Sequence, residues 1–175
     1  QQLHAKAHYI YKDTTKLRTP LNHRTLTILP QLYRTWAKTR LRQLTPWIAR
    51  WDLDEIFAGV PGKGAEDAWY TTSIAVEHCM LQDVPLTGGA ADIFKCFDQL
   101  QTPIAHHVLR RAGLPTRIHT AYKNYMHNTS HYNTIAHNYG TPHTKKCGIP
   151  QGCPFSMLII ALTLRPWILI QREIP

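Results

Sequence analysis

Between Asp98 and Glu173 the chain carries no carboxylate at all. Eight Lys and Arg side chains and seven histidines accumulate in that stretch, so its surface attracts phosphate. The four cysteines, at 79, 96, 147 and 153, form no CxxC pair, and the N-terminus has no apolar signal core. A disulfide framework and secretion are therefore not expected, and an intracellular, reducing compartment, nucleus or cytoplasm, is. Long apolar runs are missing too. The longest, Met157 to Ile170, covers fourteen positions and includes Thr163, Arg165 and Pro166, which predicts a buried helix and no membrane partner. The chain begins with Gln1 and stops at Pro175 after an apolar run, as a piece of something longer would.

What is present is a folded-protein composition, 43% hydrophobic with 10% aromatics, in 175 residues, enough for one core or two small lobes sharing one. The net charge is +9. It is unevenly placed: residues 1–50 hold ten basic and one acidic side chain, 51–98 two and nine, 99–175 eight and one. Tyr122, Tyr125, Tyr132 and Tyr139 interleave with the C-terminal cations, and aromatic faces among basic groups suit nucleic acid.

Apolar residues at 29, 32, 33, 36, 37, 41 and 44 recur at helical spacing, with Arg34, Lys38, Arg40 and Arg42 mostly elsewhere, which predicts a basic amphipathic helix. After a loop at Gly59–Gly64, a second helix is expected from Ala65 to about Leu81, with Glu66 and Asp67 favouring its first turn. Ala90 to Phe97 reads as a buried strand. Thr102-Pro103 then supplies an N-cap and first helical position for a helix closed by Gly113, and another helix follows Pro115 to about Met126. Residues 127–139 are polar and His-rich, and their alternation fits either a strand pair or a loop. A turn at 147–152 leads to the apolar helix from about Pro154.

Two segments carry chemistry. In Asp92-Ile-Phe-Lys-Cys-Phe97-Asp98, one carboxylate at a strand's outlet would hold a metal ion; Asp98 shares its parity but lies about 20 Å away along an extended strand, which makes it a local cap or turn residue unless the chain turns sharply. In Gly148-Ile-Pro-Gln-Gly152-Cys-Pro-Phe-Ser156, two glycines permit close backbone approach, Gln151 offers donor and acceptor, and the following helix start favours anions. Taken singly, each also reads as ordinary structure: a buried acid, a core aromatic, a tight strand-to-helix turn.

Together, the two segments resemble the first two palm motifs of reverse transcriptases, Asp-x4-Phe-Asp and G-[LIV]-PQG-x-P-x-S. Upstream and in order, Asn22-His-Arg-Thr-Leu is similar to the fingers motif N-x-R-P-I, with Thr25 in place of proline, and Phe57 to Gly64 is similar to the loop G-F-R-x-G-R-G. The likeness runs from about residue 12 to the end and is closest to the non-LTR retrotransposon and group II intron type. It implies an α+β fold, an incomplete right hand: a helical fingers-like region over 1–86, and a truncated palm sheet with packed helices over 87–175, carrying a fingers-type insertion around 115–145.

The resemblance also implies the chemistry. A primer 3′-hydroxyl attacks the α-phosphate of a dNTP on an RNA template, with two Mg²⁺ ions as cofactors held by hard oxygen ligands. Asp92 would be the first metal-binding carboxylate with the Ile93 carbonyl beside it, and Phe97 would exclude a ribose 2′-hydroxyl. Gln151 and Gly152 would line the nucleotide pocket, and Arg24 and Lys12 would reach the triphosphate. The family's third palm motif, an aromatic-x-Asp-Asp hairpin, has no counterpart here, since no Asp follows Asp98. The chain alone is therefore expected to be catalytically silent. A non-catalytic nucleic-acid-binding module or a decayed mobile-element remnant is the rival. A zinc module drawing on His127, His131, His137, His143, Cys147 or Cys153 is weaker, because no cysteine pair accompanies His127-x3-His131.

Overall fold

The computed structural model describes residues 3–173 apart from 14, 16, 18, 20, 21, 136 and 137. Four strands make one mixed sheet in the order β2-β1-β3-β4: β1 Leu3–Tyr11, β2 His23–Ile28, β3 Thr129–Ile135 and β4 Asn138–Tyr139. β1 pairs antiparallel with β2, and β3 with β4, while β1 runs parallel to β3 in the register Leu3↔Thr129 to His8↔Thr134. One face is inward. Ala5, Ala7, Thr27, Thr129 and His131 are buried on it, mostly small side chains that let helices approach the sheet closely. His4 and Lys6 alternate with them on the exposed face.

Among the described residues seven helices follow in sequence order: α1 Gln31–Gln43, α2 Thr45–Ile48, α3 Ala65–Leu81, α4 Cys96–Gln99, α5 Thr102–Arg111, α6 Thr116–Asn128 and α7 Ser156–Arg172. α1 buries Tyr33 and Ala37 and continues the stripe from Leu29 to Leu44; Leu32, which the spacing places in that stripe, is instead exposed. Tyr33 stacks flat on Tyr125 of α6, centroids 3.4 Å apart, and its hydroxyl lies 3.1 Å from Cys153 Sγ. Trp47 Nε1 donates to the Ala112 carbonyl over 2.7 Å, fastening α2 to the end of α5. Around these contacts Leu109, Tyr122, Phe155, Leu158 and Ile159 close one continuous core. Within the polar 127–139 stretch, Thr129–Ile135 and Asn138–Tyr139 form the β3–β4 pair, and 127 and 128 finish α6. α5 starts one residue earlier than the cap assignment predicts: Gln101 occupies the N-cap and Thr102 is already helical.

Two differences from the sequence reading matter for function. The expected strand at Ala90–Phe97 is absent: residues 84–93 have no regular structure, Lys95 is left-handed (φ 48°), and α4 begins at Cys96. A lone strand without a neighbour leaves its backbone groups unpaired, and the described sheet is built instead from the first 28 residues and from 129–139. The sheet thus joins β1 and β2 to β3 and β4, and among the described residues no strand forms over 87–128, where the expected palm sheet begins. α3 has the predicted bounds, and Asp67 accepts the Gly64 N–H at 2.7 Å, yet it buries none of its residues.

Candidate functional site

The turn at Lys95 folds the 92–98 segment back on itself and creates a cleft of about 580 Å³. Asp92, Ile93, Phe97, Gln151, Arg24 and Lys12 all line it. They come from four places in the chain, and the backbone explains why they meet. Gly148 N–H donates to the Leu100 carbonyl (2.9 Å) and Ile149 N–H to the Phe97 carbonyl (2.7 Å), which ties the 148–152 turn to the 92–98 segment. On its other side, Thr27 N–H donates to the Gln151 carbonyl over 2.7 Å, tying the same turn to β2, which carries Arg24. Lys12 N–H bonds the Asn22 carbonyl across the end of the β1–β2 pair, and its ammonium sits 6.0 Å from the Phe94 ring centre.

Two glycines make this clamp possible. Gly148 has φ +80°, and a Cβ there would stand 2.7 Å from the carbonyl oxygens of Phe97 and Asp98. Gly152 has φ +123° with the Thr27 carbonyl 2.5 Å from where its Cβ would be. Gly152 does not itself line the cleft; its bare Cα lets β2 close against the turn and so aims Gln151 inward. The start of α7 differs from expectation as well. Phe155 and Ser156 are buried, and Ser156 Oγ donates to the Pro150 carbonyl at 2.8 Å, so this helix end presents no open anion site.

Asp98 is the residue that sequence spacing misjudged. The turn brings it onto the same cleft as Asp92, where its Oδ2 accepts from Gln151 Nε2 (3.2 Å) and its Oδ1 faces Lys145 Nζ at 3.7 Å. Burial pulls the Lys145 ammonium below its ordinary pKa, and the Asp98 charge opposes that shift. His23 also lines the cleft, its ring 4.3 Å from that of Tyr11 and its Nδ1 2.8 Å from the Thr19 carbonyl. It sits inside the matched fingers motif, one place before Arg24. Burial, helped by Asp92, raises the Cys96 thiol and keeps it protonated.

A family model for reverse transcriptase (RNA-dependent DNA polymerase) matches residues 10–173. The chain belongs to the reverse transcriptase family. No curated protein matches it. Reverse transcriptase domains act on a nucleic-acid template and primer with dNTPs, and generally use divalent metal ions. No helix of this one, among the described residues, is long and apolar enough to cross a membrane.

The cleft fits part of that metal requirement. Asp92 is exposed, and no hydrogen bond or ion pair engages it among the described residues, so its hard oxygens are open to a cation. Asp98 is committed to Gln151 and Lys145. Among the described residues no three His, Cys, Asp or Glu side chains gather into a metal-binding group, including those considered for zinc; His137 lies outside the described residues.

Proposed function

We propose that this reverse transcriptase domain is the fingers and front palm of an RNA-templated DNA polymerase of the non-LTR retrotransposon or group II intron type, working inside the cell. The observation that carries the reading is the shared cleft: Arg24 and Lys12 on one wall, Asp92 and Phe97 on another, Gln151 between them. Cationic side chains from the β1–β2 pair would meet the triphosphate of an incoming dNTP, where charge-assisted contacts to phosphate are strongest. Gln151, held at its carbonyl by Thr27 and at its amide by Asp98, would present a fixed edge to the nucleotide. Phe97, half-buried against the core, would stand under the sugar and leave no room for a 2′-hydroxyl.

Transfer itself forms a bond from the primer 3′-oxygen to the α-phosphorus and breaks the bond to pyrophosphate, with Asp92 and the Ile93 carbonyl as the hard-oxygen ligands this chain contributes. Two Mg²⁺ ions, when bound, would lower the pKa of the primer hydroxyl and neutralise the departing pyrophosphate. One open carboxylate supplies too little negative charge to hold both ions, so the 175-residue chain by itself is silent in catalysis and a longer polypeptide completes the site. The four free thiols suit a reducing compartment.

The test joins the chain to the reading frame that follows Pro175 and measures extension of an RNA-templated primer. Extension that Asp92→Asn abolishes, with RNA binding intact, supports the reading; extension unchanged by Asp92→Asn removes Asp92 from the metal site. An open reading frame without any downstream aromatic-x-Asp-Asp motif would favour a non-catalytic remnant.

A further inference from the structure

Outside the cleft lies a second open groove, of about 640 Å³, between α5, α6 and the segment at 144–146. One stripe of each helix lines it. His106, His107 and Arg110 recur three and four apart on α5, and His119 and Lys123 four apart on α6, spacings that place them on facing sides. Lys145 and Lys146 close the third side, and no carboxylate lines the groove. Asp98, which pairs with Lys145, faces the cleft instead.

Two polar atoms here are orphaned. His106 Nδ1 and His119 Nε2 are buried without a hydrogen-bond partner, and their rings stand 5.2 Å apart. Burial first, then neighbouring positive charge, holds both imidazoles below the ordinary histidine range; Lys123 acts on both, His119 on His106, and Arg110 on His119. Crowded cations repel one another, so an anion seated among them would relieve that repulsion. The dipole at the C-terminal end of α5 accounts for Arg110, but Lys123 sits in the middle of α6.

We propose that this groove binds the phosphodiester backbone of a nucleic-acid strand, with Arg110, Lys123 and Lys146 meeting phosphates. The choice of nucleic acid among polyanions rests on the polymerase reading above. No Phe, Tyr or Trp lines the groove, so it reads backbone and not base sequence. Lys145 joins it to the cleft: its ammonium pairs with Asp98 on the cleft wall, so a strand engaged at the cleft continues across the α5–α6 face.

Filter binding of a short labelled single-stranded RNA to the full chain, across a salt series, tests this. Arg110→Ala with Lys123→Ala should weaken binding about tenfold and flatten the slope of log K against log salt by about 1.4, two phosphate contacts' worth. Lys12→Ala with Arg24→Ala is the comparison. Loss in the cleft pair with none in the groove pair overturns the groove and leaves the polymerase reading standing; loss in the groove pair alone supports the groove and counts against the cleft. Lysine footprinting of the unmutated chain gives the second measurement. RNA should protect Lys123 and Lys146 from an amine-reactive reagent, and inorganic phosphate at equal phosphate concentration should not. Equal protection by inorganic phosphate, or none by RNA, overturns the proposal.

Discussion

Gln151 Nε2 donates to Asp98 Oδ2 over 3.2 Å, and the other oxygen of the same carboxylate faces Lys145 at 3.7 Å. One acid therefore links the turn that carries Gln151, the 92–98 segment and the irregular stretch at 144–146. Lys145 is mostly shielded, so its ammonium depends on that acid more than a surface lysine would.

Asp98→Ala should cost about 1–3 kcal/mol in urea unfolding, because it leaves a partly buried cation without its counter-charge. Lys145→Ala in the same background should recover part of the loss. A double-mutant cycle measures this directly, and a coupling energy within about 0.3 kcal/mol of zero would show the pair to be independent.

Gly148→Ala and Gly62→Ala separate backbone strain from crowding. The two glycines share nearly the same φ, +80° and +77°, but a Cβ at 62 meets nothing within 4 Å, while one at 148 meets two carbonyls at 2.7 Å. Gly62→Ala should destabilise by about 1 kcal/mol and Gly148→Ala by roughly 2–3 kcal/mol more, read from thermal melts of both variants.

For the extended polymerase, Phe97→Val should admit rNTPs, lowering the dNTP preference by tenfold or more on the order expected for losing a steric contact. Primer extension with each nucleotide set checks it. Discrimination that stays intact would place the sugar elsewhere in the cleft.

His131 predicts acid sensitivity. It is 3% exposed, its Nε2 has no partner, and burial, assisted by Lys145 and His143, pulls its pKa down to about 4. The unfolded chain, with an ordinary histidine near 6.5, then binds the extra proton between those values, so stability is fully present above about pH 6.5 and falls as the pH drops towards 4. The loss attributable to this residue is about 3 kcal/mol. Melting temperatures from pH 7 to 4 should fall less steeply in His131→Gln than in the unmutated protein.

The longer helices were legible from apolar spacing and punctuation, whereas α2 and α4 carry no such signal and α4 stands where a strand is expected. α1 has its 29–33–37 stripe, α5 and α6 sit between Pro103, Gly113 and Pro115, and α3 opens on Glu66 and Asp67. Of the sheet only the β3–β4 pair was legible, as one of two readings of 127–139. In β1 the buried Ala5 and Ala7 give a faint alternation, and its partner β3 stands more than a hundred residues away. Convergence of Asp92, Gln151 and Arg24 followed from motif order, whereas the place of Asp98 depends on a left-handed lysine at 95 that no residue preference requires. Gly152 was assigned to the pocket from its motif; only the backbone contact to Thr27 shows that it works one step removed.

The parallel pairing of β1 with β3 has a consequence for synthesis on the ribosome. β1 and β2 leave the ribosome well before β3, as an antiparallel hairpin, and its β1 edge waits until residues 129–135 emerge to cover it. Closing so long a loop is slow, so β1 is enclosed long after it is made, and co-translational capture of that hairpin by a chaperone would guard the interval.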